Sequence, residues 1–249
     1  MSKPPFLETA QKAINKYYPG YKCAFVAGSM LRGQETATSD IDIVVIYEDE
    51  FQDVHRQSVI EDGWPIEFFV HNKKANDYYM DKDRKRGMCI MMDMVANGIP
   101  LPEVNEMVKE RQARARDMID SGPPVLSEKE IEDCRYSITD SLDDLDENRS
   151  ALERFGTLSN LYHQMGDLYL RGKGLWSGQG KSLGRLLRRA DVNFSEEFEV
   201  AFEKAYQGDL LAVRNISEDV LNIYGGRLFE GYKRTAPEEW KNFRSEQEK

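Results

Sequence analysis

The stretch Ala27-Gly28-Ser29-Met30-Leu31-Arg32-Gly33, followed after a short polar segment by Ser39-Asp40-Ile41-Asp42-Ile43, holds the residue types best suited to chemistry. Side chains alternate along a strand, so Asp40 and Asp42 point the same way, with Cα atoms about 7 Å apart, while Ile41 and Ile43 face the opposite, buried side. Two carboxylates on one face repel each other and resist ionisation unless a cation lies between them. Hard oxygen ligands, few in number, suit Mg²⁺, with phosphates and water completing its octahedron. Gly28-Ser29 adds small residues at a strand's end, where backbone N–H groups can approach a phosphate closely. Alone, each piece would be an ordinary turn or a solvated strand start. Together, at this spacing, they read as a site.

The elements that must position these residues are legible around them. Apolar residues at helical spacing from Phe6 to Tyr17 predict a helix that Pro19-Gly20 ends. Cys23 to Ala27 and the β-branched run Ile41 to Tyr47 predict buried strands. Asp62-Gly63 predicts a hairpin between strands over 54–60 and 66–70, although Pro65 removes a ladder donor near its turn. After His71 the period is helical throughout, with helices predicted over 73–85, 88–97, 103–120, 128–148, 151–171, 182–190, 195–207 and 209–224. Gly122-Pro123-Pro124, followed by the capping-box start Ser127-Glu-Lys-Glu130, reads as a joint. The expected fold is therefore α+β, with a small mixed-sheet domain over 1–122 and an all-α helical bundle over 123–249.

Composition narrows the classes. Acidic residues outnumber basic ones by 44 to 34, and the net charge of -10 opposes nonspecific binding to a nucleic-acid backbone. The N-terminal residues lack the apolar core of a signal peptide, and no apolar run approaches the length of a membrane span, so a cytoplasmic protein is expected. Three cysteines, Cys23, Cys89 and Cys134, have no metal-site spacing and read as reduced.

The segment from Gly28 to Asp42 resembles the Gly-Ser…Asp-x-Asp motif of the nucleotidyltransferases with a DNA polymerase β-like fold. The resemblance implies a third carboxylate on a later strand. Glu67 in Pro65-Ile66-Glu67-Phe68-Phe69 meets that expectation, and a glutamate in an apolar strand calls for a partner. The helical half, with Trp176 and Lys181 beyond a long helix, resembles the aminoglycoside nucleotidyltransferases. The implied enzyme moves a nucleotidyl group, AMP from ATP, to a hydroxyl of a small aminoglycoside-like acceptor, releasing pyrophosphate. Asp40, Asp42 and Glu67 would hold Mg²⁺, two ions in number, with Glu67 either a ligand or the general base. Gly28, Ser29, Arg32, Ser39 and Lys181 would attend the nucleotide, Lys181 from the second domain. A homodimer is a further implication. The alternatives are adenylylation of a protein or RNA, as in toxin-neutralising relatives, and a nucleotide sensor without catalysis.

Other features read as structural. Gly178-Gln179-Gly180-Lys181-Ser182 follows a helix and lacks the earlier glycine of a P-loop. The methionines between Met88 and Met94 suit a core. His55, His71 and His163 have no ligand spacing, although the first two flank the hairpin that carries Glu67. Asp140, Asp143, Asp144 and Glu147 fall at i, i+3, i+4 and i+7, an acidic helix face that a polycationic acceptor would relieve.

Overall fold

The computed structural model describes residues 4–33 and 39–238; the side chains of Ser29 and Arg32 lie outside the described residues. The chain divides into two compact units, Met1–Val125 with Lys173–Ser182, and Leu126–Gly172 with Leu183–Lys249. The first unit takes in the ten-residue segment Lys173–Ser182, which the sequence reading puts in the helical half.

The first unit is built on a five-stranded mixed sheet in the order β3-β4-β2-β1-β5. Its strands are β1 (Cys23–Ala27), β2 (Ile41–Tyr47), β3 (His55–Glu61), β4 (Trp64–Asn72) and β5 (Ile99–Leu101). β2 and β4 are parallel, while the β1–β2, β1–β5 and β3–β4 pairs are antiparallel. Alternation sorts β2 between two cores. Ile41, Ile43 and Val45 pack with Ala10, Ala13 and Ile14 of α1 (Phe6–Tyr17), whereas Val44 and Ile46 pack with Met80, Met91 and Met92. Those methionines belong to α2 (Lys73–Lys85) and α3 (Ile90–Ala96), which with α4 (Glu106–Asp120) pack on that second face. Asn72 and Asn105 cap α2 and α4, their side-chain oxygens accepting from the N–H groups of Ala75 and Val108.

The Asp62-Gly63 turn has both residues at positive φ, 49° and 81°, as a two-residue hairpin demands. Pro65 is accommodated as the second residue of β4, opposite Ile60. β5 is not apparent from the sequence: three residues with a central Pro100 show no period, and pairing with β1 supplies its definition.

The second unit contains α5 (Glu128–Asp144), α6 (Ala151–Gly172), most of α7 (Lys181–Ala190), α8 (Val192–Tyr206) and α9 (Leu211–Ile223) around its own apolar core. Ser127 and Glu130 form the expected capping box. α5 ends at Asp144, four residues before the expected terminus. Leu145 turns inward, 1% exposed, and the Asp146 carboxylate accepts from the Asn148 backbone N–H at 2.7 Å, a local turn that competes with the helix. α8 begins earlier than expected because Asp191 caps it, accepting from the Phe194 N–H at 3.0 Å. No helix among the described residues is long and apolar enough to cross a membrane.

Candidate active site

Asp42 is the second residue of β2, and the register puts Ala27 opposite it on β1 and Glu67 opposite it on β4. The parallel β2–β4 pairing therefore sets two carboxylates side by side on one sheet face, and Asp40, just before β2, adds a third. A carboxylate oxygen from each of the three lies within 4.8 Å of the other two. Asp40 is exposed, and Asp42 and Glu67 are partly buried. Burial first, then the negative charges of Asp40 and Glu67, push the Asp42 carboxyl up to about 6 against opposition from Arg56 and Lys181. Such a cluster, with more negative than positive charge, could hold a metal ion.

Gly28 shapes the near wall. Its φ of 108° lies where L side chains are strained, and a Cβ there would stand 3.1 Å from Asp42 Oδ2 and 3.5 Å from the Asp40 carbonyl oxygen. The missing side chain leaves the space beside the Asp42 carboxylate open, as a site for an ion or phosphate requires. A short 3₁₀ turn follows at Ser29–Arg32. The side chains of Ser29 and Arg32, both expected to attend the nucleotide, lie outside the described residues. Ser39 is partly buried immediately before Asp40.

Lys181 is exposed and belongs to the first unit, in the returning segment Lys173–Ser182, which corrects its assignment to the second domain. Its charge acts on Asp42 within that unit. Trp176, in the same segment, packs partly buried against the α2–α4 side of the core and donates from Nε1 to the Ile119 carbonyl at 3.1 Å. It is a packing residue.

Arg56 was missed by sequence reasoning. It lies on β3 with its guanidinium hydrogen-bonded to Glu67 Oε2 and set 5.0 Å from the Phe69 ring centroid, while Ser58 Oγ donates to Glu67 Oε1 at 3.4 Å. The signal was present: an Asp62-Gly63 hairpin pairs Ser58 with Glu67 and Arg56 with Phe69. The histidines of the hairpin are elsewhere. His55 hydrogen-bonds the Tyr18 hydroxyl at 3.2 Å, and His71 is buried, stacked on Tyr79 at 4.8 Å and pushed down to about 4 by burial. A groove of about 360 Å³ opens beside the triad, lined by Asp40, Ser58, Ile60, Pro65 and Glu67 among others.

The expected acidic face on α5 does not form as drawn. Glu147 lies past the helix end, Asp143 is paired with Arg227 at 2.6 Å, and Asp144 with Arg149 at 3.0 Å.

Residues 7–113 match the nucleotidyltransferase domain family. No curated protein matches the chain in sequence. Among solved structures it is similar to a nucleotidyltransferase-like protein from Exiguobacterium sibiricum 255-15, at 12% identity and a TM-score of 0.42, over 89% of this chain and 77% of that one. Domains of the matched family use a nucleoside triphosphate and a divalent metal, which agrees with the carboxylate cluster. The N-terminal part of this chain, residues 7–113, thus matches a nucleotidyltransferase domain, consistent with the superfamily that its Gly28-to-Asp42 motif resembles.

Proposed function

We propose that the protein transfers AMP from ATP to a hydroxyl of a small, polyhydroxylated and cationic acceptor of the aminoglycoside type. The acceptor oxygen forms a bond to the α-phosphorus, the bond from that phosphorus to the bridging oxygen breaks, and pyrophosphate leaves while the hydroxyl proton passes to solvent or Glu67. The observation that carries the reading is the convergence of Asp40, Asp42 and Glu67 within 4.8 Å, next to a glycine whose absent Cβ leaves Asp42 open. These three would hold Mg²⁺, in two ions. When bound, the metal supplies positive charge that offsets the triphosphate and the transition state of an in-line displacement. The chain's own residues do the rest. Gly28 admits the outer phosphates to the backbone, Ser29, Arg32 and Ser39 would attend them as the family resemblance implies, and Lys181 offers a point charge from the returning segment. The groove lined by Ser58, Ile60 and Pro65 would take the acceptor, since it offers apolar side chains for a ring together with the Asp40 and Glu67 carboxylates.

Identity of the acceptor rests on the family resemblance and on this groove; the α5 face no longer argues for it. The test is transfer from α-phosphate-labelled ATP across a panel of aminoglycosides, other small hydroxyl compounds, proteins and RNA. A labelled small acceptor with pyrophosphate release is expected, and Asp42→Asn should lower kcat/KM by at least about 10²-fold with an unchanged circular dichroism spectrum. Label in protein or RNA alone overturns the acceptor class, and an active Asp42→Asn overturns the assignment of the site.

A further inference from the structure

The triad is not the whole of the charged cluster. Arg56 reaches it from β3, an edge strand, and puts its guanidinium on Glu67 Oε2, while Ser58 occupies Oε1. Both oxygens of the third carboxylate thus have protein donors. The guanidinium hydrogen-bonds the carboxylate that the proposed function assigns to the metal, from a side chain that is 62% exposed. Exposure matters because a cation on a surface strand can swing away at small desolvation cost, which a buried one cannot. The Phe69 ring, 5.0 Å from the guanidinium, gives the departing side chain an apolar, π-bearing surface beside its bond to Glu67. Lys181 contrasts with Arg56: its charge also acts on Asp42, but no ion pair between Lys181 and a triad carboxylate is found among the described residues.

We infer that Arg56 is a positioning residue that stands in for the metal: it binds Glu67 in the metal-free protein and must give way for Glu67 to join Asp40 and Asp42 around a divalent ion. This rests on the proposed function, since it presumes that the triad binds metal. Without an ion, Arg56 holds Glu67 on the hairpin side and limits the repulsion among three carboxylates. Loading then becomes a competition between one arginine and a divalent cation for the same oxygens, so Arg56 sets the metal concentration at which the site assembles. Arginine suits the role because its planar fork makes directional bonds to a carboxylate and keeps its charge at every physiological pH.

The test is a titration with Mn²⁺ alone, followed by the electron paramagnetic resonance signal of the free ion, on the full chain without nucleotide. Arg56→Gln is expected to bind Mn²⁺ about tenfold more tightly than the unsubstituted protein, a change equal to about 1.4 kcal/mol. Arg56→Lys keeps a cation on the strand and is expected to shift affinity by less than about threefold, which guards against a folding defect in the glutamine variant. The decisive arm is a double-mutant cycle with Glu67→Gln. If Arg56 competes through Glu67, the gain from Arg56→Gln disappears when Glu67 is already neutral. Unchanged or weaker Mn²⁺ binding by Arg56→Gln overturns the inference, as does a gain that persists in the Glu67→Gln background, which would mark general charge relief. Failure of the underlying reading looks different: the unsubstituted protein would then show no Mn²⁺ binding that Asp42→Asn removes.

Discussion

The β3–β4 hairpin carries two glutamates with opposite fates. Glu61, on the face toward α1, has a side chain 8% exposed and is closed in by Lys16 at 2.7 Å, Lys12 at 3.2 Å and the Tyr17 hydroxyl at 3.3 Å. The hydrogen bond from Lys16, then that from Lys12, holds its carboxyl below the usual range. Glu67, on the other face, is 18% exposed, a difference too small to explain anything by itself. What differs is the company. The fold gives Glu61 Lys16 and a share of Lys12, which also pairs with Asp62 at 2.8 Å, whereas on Glu67's face it gathers three carboxylates against Arg56 and Lys181, and the central one, Asp42, is pushed up to about 6. A carboxylate neutralised by its own chain has nothing left to bind. A cluster short of positive charge is a place where a cation from solution lowers the energy of the folded protein.

The comparison is broken most directly by exchanging charge for shape at each glutamate. Glu67→Gln is expected to lower kcat/KM for nucleotidyl transfer by about 10²-fold while leaving the thermal midpoint within a degree or two, because its removal relieves as much repulsion as attraction. Glu61→Gln is expected to do the reverse, lowering Tm by a few degrees while activity stays within about twofold, since Lys16 loses its carboxylate partner and Lys12 is left with Asp62 alone. Paired melting curves and steady-state kinetics decide it. A Glu61 variant that loses activity, or a Glu67 variant that loses only stability, would erase the distinction between the two faces. Should Mn²⁺ affinity survive Glu67→Gln while the acidic limb of the pH–rate profile vanishes, Glu67 is the general base and not a ligand.

This contrast also shows what a sequence can carry. Asp40 and Asp42 are readable because strand alternation is local, and Glu67 stands out because a charged residue interrupts an apolar strand. Their approach to 4.8 Å depends on the parallel β2–β4 register, a long-range pairing with no local mark. Arg56 was recoverable from the Asp62-Gly63 turn, whose register counts back to it, but only by treating an exposed arginine as more than surface. The place of Lys181 in the first unit has no local mark, because the returning segment Lys173–Ser182 looks in sequence like a linker between helices. The end of α5 was overrun for a related reason: the polar run Asp143 to Asn148 fits a helix period until Asp146 bonds its own neighbours' backbone.

A second expected outcome sharpens the comparison through pH, with no metal present. The folded-state value near 6 for Asp42 exceeds its ordinary value of 3.8, so the native protein binds the proton more tightly than the unfolded chain. Stability associated with this group is fully present below about pH 4 and is lost as pH rises through 6. That rise corresponds to at most about 3 kcal/mol. Metal-free Asp42→Asn should therefore gain stability relative to the unsubstituted protein between pH 4 and 7, reach a plateau above it, and gain nothing from added Mg²⁺. Denaturant melts at several pH values, with and without Mg²⁺, measure this. A difference that is flat with pH would mean that Asp42 carries no burden of burial and like charge.

The smallest effect is expected in the second unit, where the comparison is carried to a surface that looks functional from sequence alone. Asp143 and Asp144 of α5 are 57% and 58% exposed, and each already has a guanidinium: Arg227 for the first, Arg149 for the second. Arg227 is itself shared, its Nε donating to Glu218 at 2.7 Å, so losing Asp143 leaves it with a carboxylate partner. Exposed pairs of this kind contribute about 0–1 kcal/mol, and screening by salt takes away part of that. Asp143→Asn and Asp144→Asn should thus change KM for a cationic acceptor and for ATP by less than about twofold, at low and high salt alike. The physical reason is the one that separates Glu61 from Glu67: the chain's own arginines have already answered these charges, and a polycation would have to displace them before gaining anything. A rise in acceptor KM above about fivefold for either variant, with KM for ATP unmoved and the effect fading in high salt, would show that pairing within the fold does not disqualify an acidic face from binding, and the rule drawn from the hairpin would fail.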